Sequence, residues 1–159
     1  MQQPGSGYFE AAARPVAELL ACPRSVSDLL SASAQTISFE HGQNIFRQDD
    51  GCAGLYVVLE GRLLRRSEQS HVRVSLGVTG PGDLVELAAA LGKPRHTYSL
   101  VGQGTGSLVL LPLDQLNRAF EACPALRMQL LEELAREVSR AYYASTLARD
   151  LLMRRVGAV

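Results

Sequence analysis

The sequence contains few residues of the kinds that hold metals or form disulfides. Its three cysteines, Cys22, Cys52 and Cys123, are far apart and form neither a CxxC pair nor a zinc-ligand spacing. Such a set favours free or buried thiols in a reducing compartment, and three dispersed cysteines argue against a four-cysteine iron–sulfur cluster. The sequence therefore predicts no metal and no cofactor.

The chain also has no net charge. Sixteen Lys and Arg balance sixteen Asp and Glu, so composition gives no electrostatic reason to expect a nucleic acid or an anionic membrane as partner. No apolar run approaches the roughly 20 residues that span a bilayer, and MQQPGSGYFE has no features of a signal peptide. We therefore expect a cytoplasmic protein without membrane contact.

Catalytic signatures are missing as well. The sequence shows no Ser-His-Asp order, no paired carboxylates and no HExxH motif. Glu86, the acid that stands out in an apolar run, has no second group nearby in sequence for acid–base chemistry. We therefore do not expect an enzyme.

The apolar pattern predicts a mainly β protein with flanking helices. Helical spacing predicts helices over Tyr8–Ala21 and Arg24–Ser31, and from Thr36 the pattern changes to alternation cut by turn residues. Seven short strands at this spacing predict an antiparallel sandwich or roll. The predicted strands are Thr36–Phe39, Asn44–Arg47, Gly54–Leu59, Arg62–Ser67, Val72–Val78, Thr97–Gly102 and Leu108–Leu111.

Two more helices are predicted after the strands. A short one covers Leu113–Phe120, and a long one runs from Ala125 to about Arg155 with apolar or small residues alternating by three and four. This stripe favours either a parallel helix dimer or packing on the roll. The chain thus divides into a helical segment (1–35), a β-roll (36–112) and a helical end (113–159).

The stretch GDLVELAAALGKPRHTYSL, residues 82–100, carries the polar residues of most interest. A short helix over Leu84–Leu91 would present free N–H groups that attract anions, and Arg95 can grip a phosphate with two hydrogen bonds. Glu86 can accept hydrogen bonds from a sugar hydroxyl. These features suit a phosphate joined to a polyol, although Glu86 and Arg95 could instead pair with each other.

GDLVELAAALGKPR, here called the cassette (residues 82–95), resembles the phosphate-binding cassette of the cyclic nucleotide-binding domain. This domain occurs in the catabolite activator protein and FNR (Crp/Fnr) superfamily and in protein kinase A regulatory subunits. LYVVLEGRL (residues 55–63) resembles the third strand and hairpin of the same family, and the likeness extends from about residue 10. It implies an antiparallel β-roll with N-terminal helices and a long C-terminal helix. The matching cassette positions are Leu84, Glu86, Leu87, Ala88, Gly92, Pro94 and Arg95.

The resemblance implies a role for each matching position. Glu86 would accept a hydrogen bond from the ribose 2′-hydroxyl, and Arg95 would bind the cyclic phosphate. Backbone amides near Leu87 and Ala88 would reach the phosphate or ribose. The ligand would be cyclic AMP or cyclic GMP.

Other positions depart from the family pattern or are less defined by it. Val85 replaces a glycine, and its branched side chain disfavours a positive φ and would crowd a ligand. His96, which replaces a small residue, could line the pocket with Thr97, lie exposed, or bind a metal or haem. On the long helix Ala141 lacks the hydroxyl that would contact the base, so Tyr142 or Tyr143 would stack on a purine or simply belong to the helix seam.

The favoured function is a cyclic nucleotide-binding regulatory sensor, with cyclic AMP as the favoured ligand, that signals through its C-terminal helix and forms a homodimer. It would be part of, or derived from, a Crp/Fnr-type transcription regulator. Only LMRRVGAV follows Leu151, too little for a helix-turn-helix domain, so we expect no direct nucleic-acid contact by this chain. The alternative is a degenerate sensor that binds haem, nitric oxide or a metabolite, or no nucleotide.

Overall fold

The structure, a computed structural model, describes Leu20 and residues 22–156. These residues contain eight strands and four helices with complete bounds. The helices are α1 (Arg24–Ser33), α2 (Leu87–Leu91), α3 (Leu113–Ala122) and α4 (Pro124–Val156). The strands are β1 (Gln35–Phe39), β2 (Asn44–Phe46), β3 (Gly54–Glu60), β4 (Leu63–Gln69), β5 (Val72–Thr79), β6 (Leu84–Val85), β7 (Ser99–Gly102) and β8 (Gly106–Pro112).

The strands form two four-stranded antiparallel sheets. The first has the order β1-β8-β3-β6 and the second the order β2-β7-β4-β5. Because neighbours within a sheet are seldom consecutive in sequence, the chain crosses repeatedly between the two sheets. This arrangement confirms the predicted antiparallel β-roll with flanking helices.

The two central strands of the first sheet, β3 and β8, are buried on both faces. In β3, Tyr56 and Val58 point into the roll, whereas Leu55 and Val57 point toward the helices, as the two-residue period of a strand requires. The roll core consists of Phe39, Phe46, Tyr56, Val58, Leu63, Val85, Leu100, Leu108 and Leu110. The helix-side core contains Leu55, Val57, Val109 and Leu111 of the sheet with residues of α1, α3 and α4.

Most predicted strands agree with the observed ones within two residues. The main difference lies at Leu84, where the sequence predicted the start of a helix. Leu84 and Val85 instead form β6, which pairs with β3 through Tyr56↔Val85, and the helix begins only at Leu87. A β-branched residue fits this extended position better than a helix. The predicted helix Tyr8–Ala21 lies, apart from Leu20, outside the described residues.

The long helix α4 packs on the roll only near its start. Leu126 and Leu130 are buried in the helix-side core, and Leu134 is half-buried beside it. Pro124 opens the helix, where its missing N–H has no intrahelical partner to lose. Within the described part of the chain, every helix is too short or too polar to cross a membrane.

Candidate functional site

Glu86 occupies an unusual backbone position between β6 and α2. Its φ is +71°, in the left-handed region, which costs a non-glycine residue on the order of 1 kcal/mol or more. The sequence predicted that a positive φ would be a difficulty at Val85, but Val85 is extended and packs in the roll core. The conformational strain therefore falls on the residue that carries the carboxylate.

The Glu86 carboxylate is buried and partly satisfied. The residue is 3% exposed, and its carboxylate accepts hydrogen bonds from the Thr97 amide at 3.3 Å and the Thr97 hydroxyl at 3.2 Å. The Glu86 amide donates to the Tyr98 hydroxyl at 3.3 Å. Two carboxylate oxygens offer about four acceptor positions, so Thr97 leaves capacity for a further donor.

Leu87 and Ala88 supply the first N–H groups of α2. Amides at a helix start have no intrahelical acceptor. Leu87 is buried in the helix-side core, and Ala88 is exposed with its carbonyl accepting a hydrogen bond from the Gly92 amide. Both residues therefore lie at the start of α2, and the contact of their amides with a phosphate or ribose stays a prediction.

A short backbone ladder joins the loop after β2 to the end of the cassette. The His96 amide donates to the Asp50 carbonyl, the Asp49 amide to the His96 carbonyl, and the Cys52 amide to the Pro94 carbonyl, each at 2.9 Å. Gly51 and Arg95 form an antiparallel bridge within this ladder. The ladder fixes which side chains of residues 94–97 point inward.

Arg95 points away from Glu86. Neighbouring residues of an extended segment face opposite sides, so an inward His96 requires an outward Arg95. Arg95 is exposed, and its guanidinium donates to the Asp49 carbonyl at 2.9 Å. Among the residues that the structure describes, no hydrogen bond or ion pair joins Arg95 to Glu86, so these two predicted site residues are not brought together.

His96 takes the inward position beside Glu86. Its ring is 3% exposed and stacks on Phe46 with a centroid distance of 3.7 Å and an interplanar angle of 4°. Its Nδ1 lies 3.6 Å from a Glu86 carboxylate oxygen. Of the three positions left open by the sequence, His96 is therefore buried within the site and not exposed.

Two tyrosines surround the same carboxylate. Burial raises the pKa of Tyr56 to about 12, and the nearby Cys52 and Glu86 add to the shift. Burial, with the charge of Glu86, also raises the pKa of Tyr98 above its usual range. Both phenols therefore stay neutral hydrogen-bonding groups at neutral pH.

An open cleft of about 800 Å³ lies between the β4–β5 hairpin and α4. It borders the start of the cassette at Gly82, Asp83 and Leu84. Its walls combine apolar side chains with charged ones. The lining residues include Arg65, Leu76, Val78, Glu137 and Ala141.

Arg65 connects this cleft to Glu86. Its guanidinium carbon lies 5.9 Å from the centre of the Tyr98 ring, and the Tyr98 hydroxyl accepts the hydrogen bond from the Glu86 amide. The Tyr98 side chain therefore lies between Arg65 of the cleft and the backbone amide of Glu86.

Tyr142 and Tyr143 do not line the cleft, although Ala141 does. The two tyrosines are 67% and 73% exposed, and their rings lie 6.2 Å apart in an edge-to-face arrangement. In this structure the cleft receives no aromatic ring from that part of α4, so the expected stacking by Tyr142 finds no support here.

Sequence reasoning missed three residues that shape the site, namely Phe46, Cys52 and Tyr98. The sequence did contain a signal for one feature of the site, the opposite orientation of Arg95 and His96. Arg95 and His96 immediately precede the predicted strand Thr97–Gly102, so an extended path there implies that they face opposite sides. The long-range contacts of Phe46 and Cys52 with His96 have no such local signal.

Comparisons with known proteins agree with this architecture. The family model of the cyclic nucleotide-binding domain matches residues 36–123, which is more than half of the chain. The cAMP-dependent protein kinase type II regulatory subunit of Drosophila melanogaster is 23% identical over 106 residues, which cover 66% of this chain and 28% of that protein. The chain thus spans less than a third of that relative's length.

Two solved structures share the fold. The regulatory domain of Toxoplasma gondii PKA with cAMP has a TM-score of 0.66 at 20% identity, covering 74% of this chain and 46% of that one. Thermus thermophilus catabolite activator protein has a TM-score of 0.67 at 23% identity, covering 87% and 63%. Together with the family match over the roll and α3, these findings confirm the family predicted from the cassette, and the chain belongs to the cyclic nucleotide-binding domain family.

Proposed function

We propose that the protein is a regulatory sensor that binds cyclic AMP and transmits binding through α4. The observation that carries the proposal is the buried Glu86 carboxylate, held at the start of α2 with acceptor capacity left over. Family membership supports a nucleotide ligand, and the names of the Drosophila and Toxoplasma proteins support cyclic AMP as the one to test first. That the chain is not an enzyme and makes no direct contact with nucleic acid stays a prediction.

Glu86 would accept a hydrogen bond from a ribose hydroxyl. A carboxylate kept out of water gains more from a well-placed donor than an exposed one does, because an unpaired buried charge is costly. Thr97 already orients the carboxylate through its amide and hydroxyl. Only the free acceptor positions need a partner from the ligand.

Arg95 would bind the cyclic phosphate after leaving Asp49. In the structure its guanidinium makes a hydrogen bond to a neutral carbonyl at an exposed position. Two charge-assisted hydrogen bonds to a phosphate are stronger than that single contact. The exchange requires the 94–97 segment to rearrange, since His96 now occupies the inward face.

The cleft offers a place for the base and a route to α4. Leu76 and Val78 of β5 provide apolar walls, and Ala141 of α4 lies across from them. A ligand that contacts both the hairpin and α4 would favour one arrangement of the two elements over others. This differential binding is what transmission through α4 requires.

The exposed part of α4 would carry a homodimer. From Val138 onward its apolar side chains are more than half exposed, including Val138 at 60% and Leu152 at 63%. Ala141, Ser145 and Ala148 on the same predicted stripe are also exposed and small, which permits close helix approach. A second copy of α4 would cover this stripe.

A second candidate function is a related sensor for a different ligand. The position of His96 favours it, because the imidazole lies where a small residue would leave space beside Glu86, and Arg95 faces outward. Such a sensor would keep the fold and the transmission through α4 but bind haem, nitric oxide or a metabolite, or no nucleotide.

Calorimetric titration with cyclic AMP and cyclic GMP tests the two candidates. We expect micromolar binding of cyclic AMP by the unaltered chain. Arg95→Ala and Glu86→Gln should each weaken it about 10-fold or more, since each removes a charged hydrogen-bonding partner. Arg118→Ala, an exposed arginine of α3, serves as the charge-matched control and should leave affinity unchanged.

His96→Ala separates the candidates further. If the unaltered chain binds neither nucleotide and His96→Ala restores binding, the imidazole blocks a nucleotide pocket and the second candidate gains support. If neither protein binds, while circular dichroism shows both folded, the cyclic-nucleotide proposal is wrong.

A further inference from the structure

We propose that Cys52, Glu86 and His96 form a buried binding site for a divalent transition-metal ion. The Cys52 sulfur, a Glu86 carboxylate oxygen and a His96 ring nitrogen all lie within 4.8 Å of one another. All three residues are buried, and the nitrogen-to-oxygen distance is 3.6 Å. One ion placed among the three atoms could contact each of them after small side-chain shifts.

An unsatisfied nitrogen independently points to a missing ligand. His96 Nδ1 is buried and has no hydrogen-bond partner, since the Glu86 oxygen at 3.6 Å is beyond hydrogen-bond distance. Buried polar atoms in folded proteins nearly always have a partner. Stacking on Phe46 holds the imidazole so that this nitrogen stays beside Glu86.

The backbone already holds the three residues in place. Cys52 and His96 belong to the ladder that joins the loop after β2 to residues 94–97, through the bonds of Cys52 to Pro94 and His96 to Asp50. Thr97 fixes the Glu86 carboxylate from the other side. The metal site therefore needs no backbone rearrangement to form.

The donor set defines the class of ion. Thiolate and imidazole select borderline ions such as Zn²⁺ and Co²⁺ over Ca²⁺ and Mg²⁺, which prefer oxygen ligands. The Cys52 thiol now donates to the Gly54 carbonyl at 3.1 Å, and on metal binding its proton would leave to solvent. Three protein ligands leave a fourth position for water or another molecule.

The metal site goes beyond the proposed function but shares Glu86 with it. If Glu86 also binds the ribose, metal and nucleotide compete for one carboxylate. That competition rests on the proposed function, whereas the metal site itself does not.

Cobalt titration of the reduced, metal-free 159-residue chain tests the proposal. We expect a thiolate-to-cobalt charge-transfer absorption that saturates at one Co²⁺ per chain and is displaced by Zn²⁺. Cys52→Ser should abolish this band, and His96→Gln should weaken Co²⁺ binding about 100-fold or more. Cys123→Ser and His71→Gln are the matched controls and should titrate like the unaltered chain.

The unaltered chain gives a decisive result even if a variant fails to fold. Absence of the charge-transfer band at millimolar Co²⁺, or a band that persists in folded Cys52→Ser, overturns the proposal. Zn²⁺ should also slow alkylation of Cys52 relative to Cys123, and equal rates with and without Zn²⁺ would contradict it. A cobalt band without nucleotide binding would leave the metal site standing and remove only the proposed function.

Discussion

Gly106 is a residue at which the roll leaves no room for a side chain. At the start of β8 a Cβ would collide with the Glu60 carbonyl oxygen and the Phe39 ring, both part of fixed structure. Its φ is not in the left-handed region, so the requirement for glycine here is one of space alone.

Gly106→Ala should therefore destabilise the fold. We expect the free energy of unfolding in guanidinium chloride to fall by about 1–3 kcal/mol, the range seen for overpacked sites. Gly80→Ala is the control, because its Cβ would meet no atom within 4 Å, and its effect should stay within about 0.5 kcal/mol. Equal effects of the two substitutions would contradict this interpretation.

The sequence predicted the position of some residues of the site but not the direction of their side chains. The cassette pattern located Glu86, and the structure indeed buries it at the start of a short helix. The same pattern carried no information on side-chain direction at Arg95 and His96. Their directions depend on a ladder with residues 49–52, more than 40 positions earlier in the chain, and local patterns do not encode such pairings.

At the level of elements, Glu137 of α4 lines the cleft that separates this helix from Arg65 and the β4–β5 hairpin. Burial against the cleft raises the pKa of this carboxyl, although nearby Arg65 and Arg140 lower it, and Glu133 and Asp83 add repulsion. Because the pKa of Glu137 is higher in the folded state than in the unfolded state, the folded protein binds this proton more tightly. Its ionisation therefore costs stability as pH rises from about 4.5 through the folded-state pKa.

Glu137→Gln should raise stability at pH 7. The expected gain in the free energy of unfolding is less than about 1 kcal/mol, because the site is partly solvated. Near pH 4 the carboxyl is largely protonated in both states, so the gain should shrink toward zero. Urea unfolding at both pH values checks this, with exposed Glu132→Gln as control. A gain that grows toward low pH would contradict the predicted sign.

The elements themselves were mostly readable from the sequence. In β3 and β8 alternation located the strands because successive side chains divide between two cores, whereas the alternating apolar residues of β5 are exposed. The strand β6 was missed because two residues are too few to show a period. Its extended conformation depends on pairing with Tyr56 and Val57, which lie far away in sequence.

At the scale of the whole molecule, α4 is notable because much of its apolar surface is exposed. Its first turns pack on the helix-side core, and the rest projects with exposed apolar residues. The sequence stripe was compatible with packing on the roll and with dimerisation. Packing on the roll ends near Leu134, the exposed remainder is where we propose the dimer, and a repeating pattern cannot locate such a change.

Val138→Glu combined with Leu152→Glu should prevent the proposed homodimer. We expect gel filtration with light scattering to give about twice 17.2 kDa for the unaltered chain and 17.2 kDa for the double variant, since charges on both helices would repel. Arg149→Ala, with Arg154→Ala, is the control on the same helix. A monomeric mass for the unaltered chain at high concentration would refute the dimer.

Strand β3 of the first sheet packs side chains on both of its faces, and this affects how a movement passes through the roll. A single layer of peptide groups separates Tyr56, which lies beside the site, from Leu55, which touches the helices. Close-packed protein interiors have low compressibility. A displacement of side chains on one face of the sheet is therefore transmitted to side chains on the other face. A ligand bound as proposed would therefore have a second path by which to act on the helices, straight through the first sheet.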